Sequence, residues 1–339
     1  MTERAWFRAV AACALAATIG GGVAASTAKE KRPNAKRPPL HLACGDLLGF
    51  QVFLDRAAFS PGEIDAKAGA NLRRALTAFQ ESHGLAVTGE PDCQTWHALR
   101  SGAASQTQGE AAAPQATVTY DVTADDVKGP FVEKIPPKLD EQRELPSLAY
   151  RSPLERLSER FHAAPALLRE LNHGATFNAG TRITVPAVEP FDAMTKPASD
   201  ADAGDINIAV SREESAMRAT RSDGSLVFFA PVSSGSVHDP LPIGDWKVTS
   251  VSWRPVFHYN PDLFWDAAPT AKAAPIQAGP NNPVGVVWIG INLEHYGLHG
   301  TPEPSRIGAS QSHGCVRLTN WDAARLASLV KPGTPVAFR

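Results

Sequence analysis

Cysteine is scarce in this chain, at four residues in 339, and charge of one sign is absent, with 33 lysines and arginines against 35 aspartates and glutamates. So few cysteines exclude a small disulfide-dense scaffold. A formal net charge of −2 gives no electrostatic reason to expect a nucleic acid as partner. Beyond the first two dozen residues no apolar run is long enough to span a bilayer. Hydrophobic residues make up 43% of the chain, enough to bury more than one core, and the 28 prolines cluster between candidate modules. That pattern predicts two or three modules on linkers rather than one body.

The N-terminus carries Arg4 and Arg8, an alanine-rich apolar run from Ala9 to Val23, and the small residues Val23-Ala24-Ala25-Ser26. Residues 1–25 read as a secretory signal peptide. An uncleaved anchor is the alternative, but Gly20-Gly21-Gly22 interrupts a run barely long enough to span. The expected location is therefore exported, in the periplasm or cell envelope, with no stable membrane span after cleavage. Three cysteines then remain: Cys44, Cys93 and Cys315. In an oxidising compartment an odd count leaves one over. Cys44 and Cys93 flank one helical unit and could staple it; two separately buried thiols are the alternative, and the disulfide is the expectation. Cys315 is then the free thiol.

Residues 26–43 are basic and proline-rich and read as a solvated tether. Residues 44–100 show helical periodicity at Leu47, Phe50 and Leu54 and again at Leu72, Ala75, Leu76 and Phe79, with Asp92 as N-cap of a last helix. Residues 101–146 lack periodicity and read as linker. Within 147–188, residues 147–150 read as a short strand, and Ser152, Pro153 and Glu155 as the start of a helix. Leu167, Leu168 and Leu171 mark a second helix, and residues 181–186 alternate like a strand. From residue 204 onward strands dominate. Ile206, Ile208 and Val210 alternate, residues 226–232, 246–251 and 286–289 follow, and one helix covers 321–330 with Asn320 as its N-cap and Pro332-Gly333 after it. Trp253, Trp265 and Trp288 read as core, and His173, His238 and His258 have no evident partner.

The chemistry-bearing residues concentrate near the C-terminus, in His299-Gly300-Thr301 and Ser312-His313-Gly314-Cys315-Val316-Arg317. A cysteine attacks as thiolate and needs a base within reach. Two histidines, His299 and His313, lie within reach as candidate bases, and a glycine such as Gly314 lets backbone amides approach a developing oxyanion. Arg317 suits a carboxylate. His295, His299, His313 and Cys315 could alternatively ligate zinc, although the glycines around them argue against the helix that a His-x-x-x-His pair needs.

Further segments accompany these motifs: Trp253, His258-Tyr259-Asn260-Pro261, Leu263-Phe264-Trp265-Asp266, Gly279-Pro280-Asn281-Asn282-Pro283, Trp288-Ile289 and His295-Tyr296-Gly297-Leu298. Together, through most of residues 204–339, they resemble an L,D-transpeptidase of the YkuD family. The resemblance implies a multidomain chain whose catalytic domain is a β-rich sandwich or barrel, behind a small three-helix module and a small α+β module. It implies Cys315 as nucleophile, His299 as proton donor and acceptor, Gly300 as its orienter, and His313 and Gly314 in the oxyanion region. Arg317, Ser312 and Asn282 are the substrate-binding candidates. Peptidoglycan stem peptides and glycan are the expected partners, with no cofactor and no metal. Residues Phe79-Gln80, Gly84-Leu85, Val87-Thr88-Gly89, Asp92, Thr95-Trp96 and Leu99 resemble a peptidoglycan-binding module. Pro153, Leu157, Phe161, Leu167, Leu171-Asn172, Gly180, Ile183 and Val185-Pro186 resemble LysM. The implied reaction forms a Cys315 thioester with the third residue of a tetrapeptide stem, releases D-alanine, and passes the acyl group to an amine of another stem. Hydrolysis of the same thioester, transfer to a lysine of an envelope protein, and a non-catalytic wall-binding scaffold are the alternatives. Oligomeric state has no signal in the sequence.

Overall fold

The structure, a computed structural model, describes residues 42–105, 114–310 and 312–339. The signal-peptide reading and nearly all of the tether reading fall on residues outside these. Among the described residues no helix is long and apolar enough to cross a membrane.

Three helices open the described chain: α1 (Leu47–Arg56), α2 (Ala70–Ser82) and α3 (Cys93–Ser105). The starts of α1 and α3 have a local cause, whereas α2 follows Gly69 without a side-chain cap. Asp46 Oδ1 accepts from the Gly49 amide at 2.7 Å, and Asp92 Oδ1 accepts from the Thr95 amide at 2.8 Å. The buried Gln80 fastens the α2–α3 connection, its Oε1 accepting from Thr88 and Gly89 and its Nε2 donating to Thr95. Trp96 packs on Phe50 and Phe53. Cys44 and Cys93 are joined as a disulfide.

A second unit pairs β1 (Thr117–Asp121) antiparallel with β2 (Arg182–Pro186) and packs α4 (Pro153–Arg160) and α5 (Pro165–Leu171) beside them. The Ser152 side chain accepts from the Glu155 amide at 3.2 Å. The opening strand is not at residues 147–150 but at Thr117–Asp121, inside the segment read as linker. Its β-branched and aromatic residues match the register of β2, with Tyr120 opposite Ile183. Residues 147–150 instead run, outside any strand, against the C-terminal half. Leu148 donates to the Ala278 carbonyl, Asn281 donates to Leu148, and Leu148 is fully buried. Ile135, Leu139 and Leu145 pack beside it. Residues 114–146 are therefore built into the fold; their prolines hide the pattern because single buried residues are spaced irregularly.

The remaining strands are β3 (Ile206–Ser211), β4 (Ala216–Arg221), β5 (Leu226–Pro231), β6 (Ser233–Ser234), β7 (Gly244–Trp253), β8 (Phe257–Tyr259), β9 (Ala274–Ile276), β10 (Val287–Ile291), β11 (Gly297–His299), β12 (Val316–Arg317) and β13 (Pro335–Phe338), with α6 (Asn320–Leu329) between the last two. Nine of them form one sheet in the order β5-β4-β3-β13-β7-β10-β11-β12-β6. The ten-residue β7 joins two leaves: its first half pairs with β13 and its second with β10. Ile208, Val210, Val287, Ile289, Leu298, Val316 and Phe338 bring both leaves into one core, which α6 covers with Leu326 and Ala323. The helix cap is Thr319, whose Oγ1 accepts from Asp322 at 3.1 Å; Asn320, read as the cap, is the first helical residue. Its side chain is used elsewhere, as described below. β8 and β9 form a separate hairpin over one side of the sheet, resting on Leu148.

The three parts do not hang on linkers: residues 42–339 form one compact unit. Phe59 bridges to Phe229 of β5, and Ser60 Oγ donates to Asp322 Oδ2 at 2.9 Å. Asn71 Nδ2 donates to the Ile307 carbonyl at 2.9 Å. Phe50, Phe79, Phe161 and Phe229 belong to one continuous core. Burying so much aromatic surface between units favours docking over free tethering.

Candidate active site

β11 and β12 run parallel, with Leu298 opposite Val316 and His299 opposite Arg317. Side chains alternate along a strand, so one face receives Leu298 and Val316, both fully buried in the core. The other face receives Gly297, His299 and Arg317, and Cys315 precedes Arg317 by two residues on that same face. The absent side chain of Gly297 lets Trp288 and the Ile289 carbonyl pack close to it. An added methyl there would meet the Ile289 carbonyl oxygen at 2.7 Å and the Trp288 ring at 2.8 Å.

His299 is buried, and its Nδ1 donates to the Gly300 carbonyl at 2.7 Å. That bond places the proton on Nδ1 and leaves Nε2 as the free lone pair. Trp288 lies opposite His299 in the ladder and stacks on it, ring centroids 5.5 Å apart and planes 21° from parallel. Burial, with the Arg317 charge second, lowers the His299 imidazole to about 3. Cys315 is a free thiol whose Sγ donates to the His295 carbonyl at 3.5 Å. His295 presents that carbonyl from the left-handed region, at φ 68°. Burial raises the Cys315 thiol above its ordinary value; a backbone hydrogen bond from Gly297 and the Arg317 charge act in the opposite direction. Burial also lowers Arg317. At neutral pH the cysteine and the histidine are thus both uncharged.

Gly314 has φ 94°, and an added methyl would lie 2.5 Å from the Tyr296 ring. Only glycine fits that turn without moving Tyr296. His313 is turned away from His299: its Nε2 bonds Asp266 Oδ1 at 2.8 Å, and Phe264 meets its ring edge-on. The exposed Trp265 stacks on His238 at 4.1 Å, so neither residue is core or unpartnered. Ser312 is buried; its Oγ donates to the Cys315 carbonyl at 2.5 Å and accepts from the Gly235 amide at 2.7 Å. Asn282 is fully buried too, its Nδ2 donating to Gln277 at 2.9 Å and its Oδ1 accepting from Val284 at 2.9 Å. Both residues spend their polar atoms inside the protein, which places them as braces of the 312–315 turn and of the 276–284 loop rather than at the cleft surface.

Cys315, His299, Arg317 and Trp288 open into a cleft of about 1230 Å³. Its far wall includes Lys138, Asp140 and Arg151, from the segment read as linker and the residues just after it. The four residues of the zinc reading do not converge: among the described residues no three of His, Cys, Asp or Glu are grouped as a metal ion would require. Trp288, Tyr296 and Asp266 were not among the candidate site residues read from the sequence. Their places follow from strand register and loop closure, and their signal was their presence in the segments that accompany the His-Gly and His-Gly-Cys motifs.

Residues 205–337 match the family model of the YkuD L,D-transpeptidase catalytic domain, and residues 48–99 match that described as "Putative peptidoglycan binding domain". A Bacillus licheniformis protein named "Putative L,D-transpeptidase YkuD" is 27% identical over 188 residues, 55% of this chain and 92% of that one. Its Bacillus subtilis namesake is 45% identical over 62 residues, 18% of this chain and 38% of that one. Among solved structures, an L,D-transpeptidase from Mycobacterium smegmatis overlays with a TM-score of 0.33 at 17% identity, covering 40% of this chain and 58% of that one. The chain thus spans less than two thirds of the latter two proteins. Residues 205–337 thus match the YkuD-type L,D-transpeptidase domain family, with the peptidoglycan-binding-type match ahead of them in the chain.

Proposed function

We propose that the chain is an exported, cysteine-dependent L,D-transpeptidase that joins peptidoglycan stems. The observation that carries this is the placement of Cys315, His299 and Arg317 on one face of the β11–β12 pair, with the His299 Nδ1 proton committed to Gly300. Cys315 Sγ attacks the carbonyl of the third residue of a tetrapeptide stem, and His299 Nε2 takes the thiol proton as the carbon–sulfur bond forms. Because thiol and imidazole both rest neutral, this is general-base catalysis rather than attack by a standing thiolate. The tetrahedral intermediate collapses when the imidazolium returns the proton to the amine of the leaving D-alanine. The thioester conserves the acyl energy, so no nucleotide is consumed. An amine of a second stem then attacks the thioester, loses its proton to His299 and releases Cys315 as thiol, giving a 3→3 cross-link.

Arg317 provides a fixed positive charge beside the reacting carbonyl and the substrate carboxylates. Backbone amides of the 313–315 turn are the donors for the oxyanion, with the Gly314 conformation setting their direction. The peptidoglycan-binding domain and the βααβ unit, with its LysM-like helices and closing strand, hold the glycan near the cleft. The test is mass spectrometry of products from purified disaccharide-tetrapeptide. The expected product is a cross-linked dimer lacking one D-alanine, absent with Cys315→Ala; tripeptide monomer alone would make the enzyme an L,D-carboxypeptidase.

A further inference from the structure

Asn320 is the fully buried first residue of α6, and its side chain does not cap the helix. Its Nδ2 donates to Glu159 Oε1 at 2.6 Å and to the Pro280 carbonyl at 3.0 Å. Its Oδ1 accepts from the Val286 amide at 3.1 Å. The two acceptors fix which end of the amide is NH₂, and so force the oxygen toward Val286 and Gly300. That oxygen lies against the backbone of Gly300. A methyl group on Gly300 would be 2.2 Å from it, and one on Gly285 would be 2.1 Å from it and 2.6 Å from the Gly300 carbonyl carbon. The Gly300 amide in turn donates to Val287 at 3.2 Å, and its carbonyl accepts the His299 Nδ1 proton at 2.7 Å. A displaced Asn320 therefore has Gly300 directly in its path.

Glu159 belongs to α4, outside the catalytic domain. It is partly buried with its carboxyl turned inward, and the Tyr150 hydroxyl donates to its other oxygen. Both neighbours are donors, so the site is built for an acceptor. Burial raises this carboxyl to about 7. Such a group is costly to hold in a protein interior, and a surface-facing residue of α4 would spare that cost.

We propose that Glu159 is a positioning residue for His299: by orienting the Asn320 amide it holds the Gly300 carbonyl that fixes the imidazole, so the βααβ unit completes the active site. The catalytic consequence rests on the reading of His299 as the base; the structural link does not. The fully active arrangement then exists only when α4 is docked, which makes the N-terminal half more than a wall anchor.

The test uses the full oxidised chain with Glu159→Gln, which keeps an acceptor for Asn320, and Glu159→Met, which removes it at similar volume. Ser60→Ala is the control, since it loosens the same helix at Asp322 without touching Asn320. ¹⁵N-histidine NMR reads the His299 Nδ1–H resonance, and intact mass reads the rate of Cys315 acylation by a carbapenem probe. Glu159→Met should shift or lose the Nδ1–H resonance and slow acylation by roughly tenfold or more, with little change in half-saturating concentration. Glu159→Gln should retain both within about threefold. Ser60→Ala should lower the melting temperature yet keep the resonance and the rate. If the Met variant does not fold, Glu159→Asp withdraws the carboxylate by one methylene and should move both readouts in the same direction. An unchanged His299 resonance in folded Glu159→Met, or in Glu159→Asp where the Met variant does not fold, overturns the proposal, as does a rate that falls in Ser60→Ala in step with stability. A wild type that the probe does not acylate counts against the transpeptidase reading, and the NMR comparison then decides this one alone.

Discussion

At the scale of single residues, burial sets the chemistry. Cys315 is held above the ordinary thiol range and His299 at about 3. A thiolate–imidazolium pair would show the opposite shifts, as in sites where a cationic histidine activates the sulfur. Alkylation of Cys315 by iodoacetamide should therefore rise through an inflection above pH 9; a plateau already reached at pH 7 would contradict the neutral pair. Gly314→Ala puts a side chain at φ 94° and 2.5 Å from Tyr296. The left-handed backbone alone costs about 1–2 kcal/mol, and Tyr296 must move beside the sulfur. Acylation should fall by roughly tenfold or more while the chain stays folded; wild-type rates would refute the fit described for that turn. The shared face of Cys315, His299 and Arg317 was legible in the sequence because two-residue alternation within short motifs places them together, and Gly300, next in the chain, meets the His299 ring through its backbone carbonyl. Trp288 and Asp266 were not, since a ladder register and a loop closure bring them there. Ser312 and Asn282 read as substrate contacts, yet their hydrogen bonds point inward.

At the scale of elements, the strands of the catalytic half and the helices α1, α2, α4 and α5 were readable from periodicity. The strand β1 was not, because five residues gain strand character only from pairing with β2, more than sixty residues later. Thr319 rather than Asn320 caps α6 because the asparagine is drawn to Glu159. The contacts that α6 and its neighbours make with the N-terminal units bury titratable groups. Glu63, Glu159 and Asp322 are each raised to about 7, by burial first. Between about pH 4.5 and 7 the folded chain holds protons on these carboxyls that the unfolded chain has released, so their contribution to stability falls as pH rises through that window. His299, lowered to about 3, acts oppositely below pH 6.5 but offsets one proton among three. Urea midpoints should decline from pH 5 to pH 7, and Asp322→Asn should make the decline shallower. A midpoint that rises over this range, or a slope unchanged in the variant, would refute the assignment.

At the scale of the whole molecule, proline-rich composition pointed to modules on linkers, and the structure has one compact unit from residue 42 to 339. The reason is apolar: Phe59, Phe79 and Phe229 share a core across what the sequence presents as domain boundaries. Calorimetry should show one dominant unfolding transition, and separate transitions for the helical and β-rich parts would contradict it. The Cys44–Cys93 disulfide closes a separation of 49 residues. By chain entropy its reduction costs up to about 4 kcal/mol. Mild reduction should therefore lower the melting temperature while leaving Cys315 reactive in the folded fraction. Docked together, the units set the far wall of the cleft and the buried contact behind His299, so the catalytic half is not expected to behave alone as it does in the full chain.

The central claim, that Cys315 carries the acyl group, is tested most directly by intact-mass spectrometry of the full chain mixed with disaccharide-tetrapeptide and no added acceptor. The account predicts an adduct on Cys315 equal to the stem minus D-alanine, lost on addition of an amine acceptor and absent in Cys315→Ala. An adduct that persists in Cys315→Ala, or wild-type turnover with no covalent species at any time, would contradict it.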